Sequence, residues 1–180
     1  MLRAQATIPS RSRLMHPEQS DFFGISHLDE KGRARMVDVG EKTPTSRRAL
    51  AAARIRFSSR AWGILSSGTG PKGGLVETAR IAGIQGAKKA SDLVPLCHPL
   101  ALDSVDLEIT PAEDGSPCFE VRCEVKSQGK TGVEMEALTG AALASLTLYD
   151  MGKALGEGAV IEEIRLLKKT GGKSGDWEAK

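Results

Sequence analysis

CFEVRCEVKSQ, residues 118–128, alternates Phe119, Val121, Cys123 and Val125 with Glu120, Arg122, Glu124 and Lys126. Successive side chains of a strand point to opposite faces, so this stretch predicts a strand with one face buried and one face wet. The turn sequence PAEDGSP precedes it, and before the turn residues 100–110 alternate less regularly through Leu102, Val105, Leu107 and Ile109. The two segments read as a hairpin. Upstream, RALAAARIRF (48–57) places Ala49, Ala51, Ala53, Ile55 and Phe57 on one face and Arg54 and Arg56 on the other, a further half-buried strand. VIEEIRLLKK (160–169) is the last strand, and GGKSGDW after it reads as a flexible glycine-rich tail.

Helical spacing fills the gaps. Leu75–Leu93 repeats Leu75, Ala79 and Ala82 one turn apart, and its glycines imply close packing against a neighbour. Glu134–Leu155 is a long Ala- and Leu-rich helix. AWGILSSG is a short helix ending at Gly68, and GTGPKGG (68–74) is a loop by its turn residues. The order β-α-β-β-α-β predicts an α+β, ferredoxin-like fold, with two helices on one face of an antiparallel four-stranded sheet. The uncovered sheet face would need a partner, so an oligomer is expected.

Bulk composition sets limits. The 180 residues suit one domain of ordinary size. Aromatics make up 4%, so the core is aliphatic, and 20 glycines exceed the usual ~7%. A net charge of +2 gives no nucleic-acid coat. Three cysteines, Cys97, Cys118 and Cys123, form no C-x-x-C, which favours a reducing compartment over a disulfide framework. No apolar run is long enough for a membrane span. The first 17 residues hold three arginines and no acid, without the apolar stretch of a secretory signal. Residues 1–24 are expected to be a disordered tail, with a mitochondrial presequence as the alternative, and the domain itself is expected over 25–180.

Several residues can carry chemistry. Asp150 and Lys153 lie one turn apart on the long helix, where a carboxylate beside an ammonium can move protons or simply form an exposed ion pair. Thr131 and Glu134 fit a capping box at the start of that helix. Glu136 is outside that motif; it lies about 21 Å from Asp150 along the helix, so the two reach one small centre only through a long ligand or two subunits. Lys72 sits among glycines in GPKGG, and KKTGGKSGDW (168–177) repeats the theme. Either can be a solvated basic loop, but together they favour a polyanionic ligand. Cys97 and His98, between Pro95 and Pro99, point to opposite sides of an extended chain and cannot readily share a metal, and Cys118 and Cys123 also face apart. No metal site is expected; His98 reads equally as a cleft donor or a core histidine.

MVDVGEK, TARIAGIQGAKKASDLVPLCHPL, KTGVEMEALTGAALASLTLYDMGKAL and LLKKTGGKSGDW together resemble the cyclic pyranopterin monophosphate synthase family of molybdenum cofactor biosynthesis, from about His27 to Trp177. The resemblance implies a lyase that converts 3′,8-cyclo-7,8-dihydroguanosine triphosphate, supplied by an upstream radical enzyme, into cyclic pyranopterin monophosphate and diphosphate. It implies no metal redox cofactor, leaving open a divalent cation with the substrate phosphates. It also implies a homohexamer of three dimers with sites at the dimer interface, in the cytoplasm, or in the mitochondrial matrix if the N-terminus is a presequence. By resemblance Asp150 is the general acid/base, with Lys72, Lys153 and Lys169 around it. Leu96, Cys97, His98, Glu134, Met135 and Glu136 are substrate contacts, and Arg80 is a weaker phosphate contact. Gly40 and Gly152 depart from the family pattern, which has Ser (or Gly) and Cys there; a missing thiol at 152 argues that none is essential. The rival readings are a non-catalytic anion-binding oligomer, which needs the lysine loops but not Asp150, and an RNA-binding module, which needs exposed aromatics on the central strands.

Overall fold

The computed structural model describes residues 26–29, 31–66, 72–173 and 175–180, with only the backbone of residues 72 and 73. The expected tail (1–24) and Gly68–Pro71 of the loop lie outside these residues. The chain divides into two compact units, the second running from Met36 to Lys180. In the described part of the first, Leu28 bridges to Ala34, and one carboxylate oxygen of Asp29 accepts the amide N–H groups of Lys31 and Arg33, each at 2.9 Å.

The second unit holds β1 (Thr45–Arg56), α1 (Ser59–Ser66), α2 (Lys72–Lys88), α3 (Ala90–Leu93), β2 (Ser104–Pro111), β3 (Cys118–Gly129), α4 (Glu134–Gly152), β4 (Val160–Thr170) and β5 (Trp177–Glu178). A 3-10 turn, Lys153–Leu155, extends α4. The sheet order is β2-β3-β1-β4-β5, antiparallel throughout. This is the expected ferredoxin-like α+β arrangement with α2 and α4 as its two long helices. The period-2 pattern of β1 and β3 pairs residue by residue, Ala49 with Val125, Ala51 with Cys123, Ala53 with Val121 and Ile55 with Phe119. All eight are buried beneath Ala137, Ala141, Ala144 and Leu148 of α4.

The sheet has five strands rather than four. The fifth comes from the segment expected to be a flexible tail. Gly171 and Gly172, at φ 88° and 82°, reverse the chain, and Asp176 Oδ1 accepts the Gly171 N–H at 3.1 Å. Trp177 and Glu178 then pair with Lys169 and Lys168. Other boundaries also differ. Lys72–Gly74, expected in a loop, form the first turn of α2. The helix expected to run to Leu93 breaks at Lys89, whose N–H bonds the Gly86 carbonyl three residues back. β2 starts at Ser104, and before it the Ala101 carbonyl accepts the Ser127 hydroxyl at 2.8 Å. The capping box is not formed: Val133 is the N-cap, with no side-chain cap bond, and Glu134 turns toward Lys169.

Glycines decide the helix packing. A Cβ on Gly83 would stand 2.9 Å from the Gly140 carbonyl oxygen and 2.2 Å from Leu107 Cδ1, and one on Gly86 would stand 3.1 Å from the Thr139 carbonyl oxygen. Gly83 meets residues 140 and 144 while Gly86 meets 139 and 143, so α2 and α4 run antiparallel in backbone contact. Gly152 lies on the Phe57 ring, where an added Cβ would come within 2.4 Å of Cε1, so the departure from Cys at this position has a packing reason. Phe119 is buried against Phe57 and Trp62, at ring-centroid distances of 6.1 and 5.0 Å, and offers no platform for bases.

A paired substitution tests this packing. Gly83→Ala should destabilise the fold by roughly 1–3 kcal/mol through overpacking. Gly63→Ala, in α1 with nothing within 4 Å of the added Cβ, should stabilise it by about 0.5–1 kcal/mol. Denaturant midpoints at constant m-value check both.

Candidate functional site

The antiparallel helix pair sorts the expected site residues into two groups. Asp150 and Lys153 stand at the C-terminal end of α4, and the first turn of α2, with Lys72, lies at that same end of the helical layer. Lys153 Nζ donates to Asp150 Oδ1 at 2.7 Å, with both side chains largely exposed. The neighbouring carboxylate pushes the Lys153 ammonium above its ordinary pKa, so it stays a fixed cation at neutral pH. The side chain of Lys72 is outside the described residues.

The second group gathers at the N-terminal end of α4. Lys169, near the end of β4, donates to Glu134 Oε1 at 3.0 Å. Leu96, Cys97 and His98 lie half-buried in the loop after α3, where the Cys97 N–H bonds the Val94 carbonyl at 3.0 Å. Cys97 Sγ is 3.5 Å from Glu136 Oε1. Burial, then the neighbouring Glu136, push the Cys97 thiol up to about 11. Burial also raises the Glu136 carboxyl, with the Glu134 charge adding, against the opposing pull of its own backbone N–H and the thiol. Met135 is 38% exposed, whereas Glu136 is 3% exposed.

The His98 Nε2 stands 2.7 Å from the Val37 carbonyl oxygen, which only accepts, so Nε2 carries a proton. Lys130 Nζ donates to the Gly40 carbonyl at 2.6 Å, so the 37–40 segment is tied down at two points. Arg47 is a further cation that sequence spacing did not single out. Its Nε donates to the Gly129 carbonyl at 3.4 Å, and its guanidinium occupies the space a Gly172 side chain would need. Only glycine at 172 reveals it, and that signal appears once the strand register is known.

Arg80 does not join either group. It donates to the Leu107 carbonyl of β2 and pairs with Glu77 at 3.3 Å, from the middle of α2. Among the described residues no three His, Cys, Asp or Glu side chains cluster as metal ligands, and no helix is long and apolar enough to cross a membrane.

Fold and site together define a class: a ferredoxin-like α+β domain that carries lysine–carboxylate pairs at both ends of one helix, suited to a polyanionic ligand. Residues 36–172 match the family model described as MoaC family. Three relatives carry the name cyclic pyranopterin monophosphate synthase. That of Nostoc sp. is 50% identical over 161 residues, covering 89% of this chain and 95% of the relative. That of Streptomyces avermitilis is 48% identical over 171 residues, covering 95% and 98%. That of Novosphingobium aromaticivorans is 52% identical over 155 residues, covering 86% and 97%. The chain belongs to the MoaC family.

The raised Cys97 pKa sets a pH dependence. A thiol that ionises near 11 is almost wholly protonated at pH 8, and its thiolate fraction grows about tenfold per pH unit until 11 is reached. Iodoacetamide labelling of Cys97, followed by peptide mass spectrometry, should therefore keep rising beyond pH 9.0, the ordinary thiol value, instead of levelling there. A plateau near 9 would contradict the burial argument.

Proposed function

We infer that this chain is a lyase that converts 3′,8-cyclo-7,8-dihydroguanosine triphosphate into cyclic pyranopterin monophosphate and diphosphate. The observation that carries the reading is near-full-length similarity, at 48–52% identity, to relatives with that name. Closing a cyclic phosphate on a triphosphate brings a substrate hydroxyl to phosphorus and expels diphosphate. The hydroxyl proton needs a base, and the leaving group needs fixed positive charge. Asp150 is the proton carrier in this reading. Lys153, Lys72 and Lys169 hold the phosphates, while Leu96, Cys97, His98, Glu134, Met135 and Glu136 frame the ring system. Arg80 is a structural tie to β2 rather than a phosphate contact.

The same reading makes the active unit a dimer within a hexamer of three dimers. Its support is distance: the two groups sit at opposite ends of α4, about 21 Å apart, too far to surround one reacting centre within one chain. A second subunit that brings its Asp150 end to the Lys169 end of the first completes the constellation. Exposed apolar side chains on the outer helical surface, Ile81 (58%) and Leu146 (53%), favour such association. The chain needs no resident cofactor in this reading, and a divalent cation carried by the phosphates is compatible with it. The substrate comes from an upstream radical enzyme. Three free cysteines suit the cytoplasm, a reducing compartment.

Asp150→Asn should lower kcat by at least about a hundredfold. It should leave the melting temperature unchanged, since Asp150 is 69% exposed. Diphosphate release from the cyclised triphosphate measures the first, and calorimetry the second. Full activity in this variant would remove Asp150 from the mechanism, and tight binding without diphosphate in the wild type would favour the anion-binding alternative. Mixing Asp150→Asn with Lys169→Ala subunits tests the shared site. Each is inactive alone, but random dimers should regain about a quarter of wild-type activity, because half pair one of each and restore one site.

A further inference from the structure

β5 is only two residues long, yet polar ties hold it from both ends. Gly171 and Gly172, both at positive φ, turn the chain, and the Gly171 N–H donates to Asp176 Oδ1 at 3.1 Å. The Gly175 N–H donates to the Gly172 carbonyl at 3.2 Å, and beyond the strand the Ala179 N–H donates to the Leu167 carbonyl at 2.8 Å. Lys168 Nζ meets Glu178 Oε2 at 3.0 Å across the strand pair. So short a pairing is not stable by itself, so these ties keep β5 on the sheet. What they present is Trp177, a large apolar side chain that stays 45% exposed.

The register says where that ring stands. Directly opposed residues of an antiparallel pair share a face, with Cβ atoms about 5 Å apart. Lys168 and Glu178 obey this on one face, where their side chains touch. Trp177 is opposite Lys169 and so lies on the other face, where Lys169 reaches Glu134 at 3.0 Å. That is the helix-layer side, because Lys169 is opposite the buried Ala49 on β1. At the same border the Arg47 guanidinium lies against Gly172. Cations for a polyanion and an open aromatic ring thus stand side by side. The other tryptophan, Trp62, is half-buried and engaged with Phe119 at 5.0 Å.

We propose that Trp177 is a ligand-contact residue, whose indole stacks on the guanine-derived ring of the substrate while Lys169 takes its phosphates. This deepens the proposed function and rests on it. A tryptophan presents a flat apolar face to any planar heterocycle, and stacking of this kind holds a base without reading its edge. Adjacent positions of one strand pair then supply both things a nucleotide-like ligand needs, ring contact and fixed charge. β5 acts as the bracket that sets the distance between them.

The test separates ring from charge. GTP carries a purine and a triphosphate; inorganic tripolyphosphate carries the charge alone. Both are titrated into the full chain, into Trp177→Ala and into Trp177→Phe. GTP should quench the tryptophan fluorescence of the wild type, and tripolyphosphate should not; in Trp177→Phe the remaining signal, from Trp62, should stay constant. Trp177→Ala should weaken GTP binding about tenfold or more and leave tripolyphosphate affinity within about twofold, and Trp177→Phe should recover most of the loss. KM for the cyclised triphosphate should rise in the same proportion in Trp177→Ala. If that variant loosens β5 and loses both ligands together, the wild-type quench and Trp177→Phe decide. A quench by GTP no larger than that by tripolyphosphate overturns the proposal. So does a Trp177→Ala chain that binds GTP like the wild type, including one whose oligomeric state alone has changed, since the indole then covers another copy. A wild-type chain that shows the ring-dependent quench but releases no diphosphate would sink the lyase reading and leave the stacking contact standing.

Discussion

The approach of α2 to α4 governs the rest of the molecule. At Gly83 and Gly86 the backbone of one helix lies against carbonyls of the other, closer than any side chain would allow. Helices this close have one register and one direction, because ridges cannot slide past each other when there is no side chain between them. Antiparallel packing then fixes which chemistry shares an end. Lys72 goes with Asp150 and Lys153, and the Leu96–His98 loop goes with Glu134 and Lys169. The small residues beneath, Ala51 and Ala53 on β1 facing Ala141 and Ala144 of α4, let the pair sit low on the sheet.

Much of this was legible in the sequence for physical reasons. Alternation in 118–128 and 48–57 announced half-buried strands because one face is wet, and the glycines of 75–93 announced a close neighbour. The fifth strand was not legible. Two residues of pairing leave no periodicity, and its cause is a reversal at Gly171 and Gly172 that depends on φ. The capping box failed because Glu134 had a stronger long-range partner in Lys169, 35 residues away. For the site, Asp150 and Lys153 were readable from helical spacing, since one turn suffices to bring them together. The burial of Glu136 was not legible, because burial of a carboxyl within a helix's first turn depends on what a distant loop lays over it. The hold of Val37 on His98 was equally invisible, being a backbone carbonyl 61 residues away.

Charge at the two ends of α4 is matched before any ligand arrives. Lys153 has Asp150, and Lys169 has Glu134. A polyphosphate that draws such a lysine to itself leaves the carboxylate without its cation. Helix direction makes the ends unequal. Glu134 lies at the positive end of the α4 macrodipole, and Lys153 beyond its negative end, so both are placed with the field while Asp150 stands against it.

Arg80, in giving its guanidinium to the Leu107 carbonyl, also bears on how copies of the chain can meet. β2 is an outer strand of the sheet, and an outer strand is a template on which another chain can add. Here one of its carbonyls already has a cationic partner, Asp106 and Glu108 put negative charge along the strand, and Pro111 at its end has no N–H to offer. Growth of the sheet from chain to chain is thereby discouraged at this border. An edge blocked in this way does not seed open-ended addition of strand to strand.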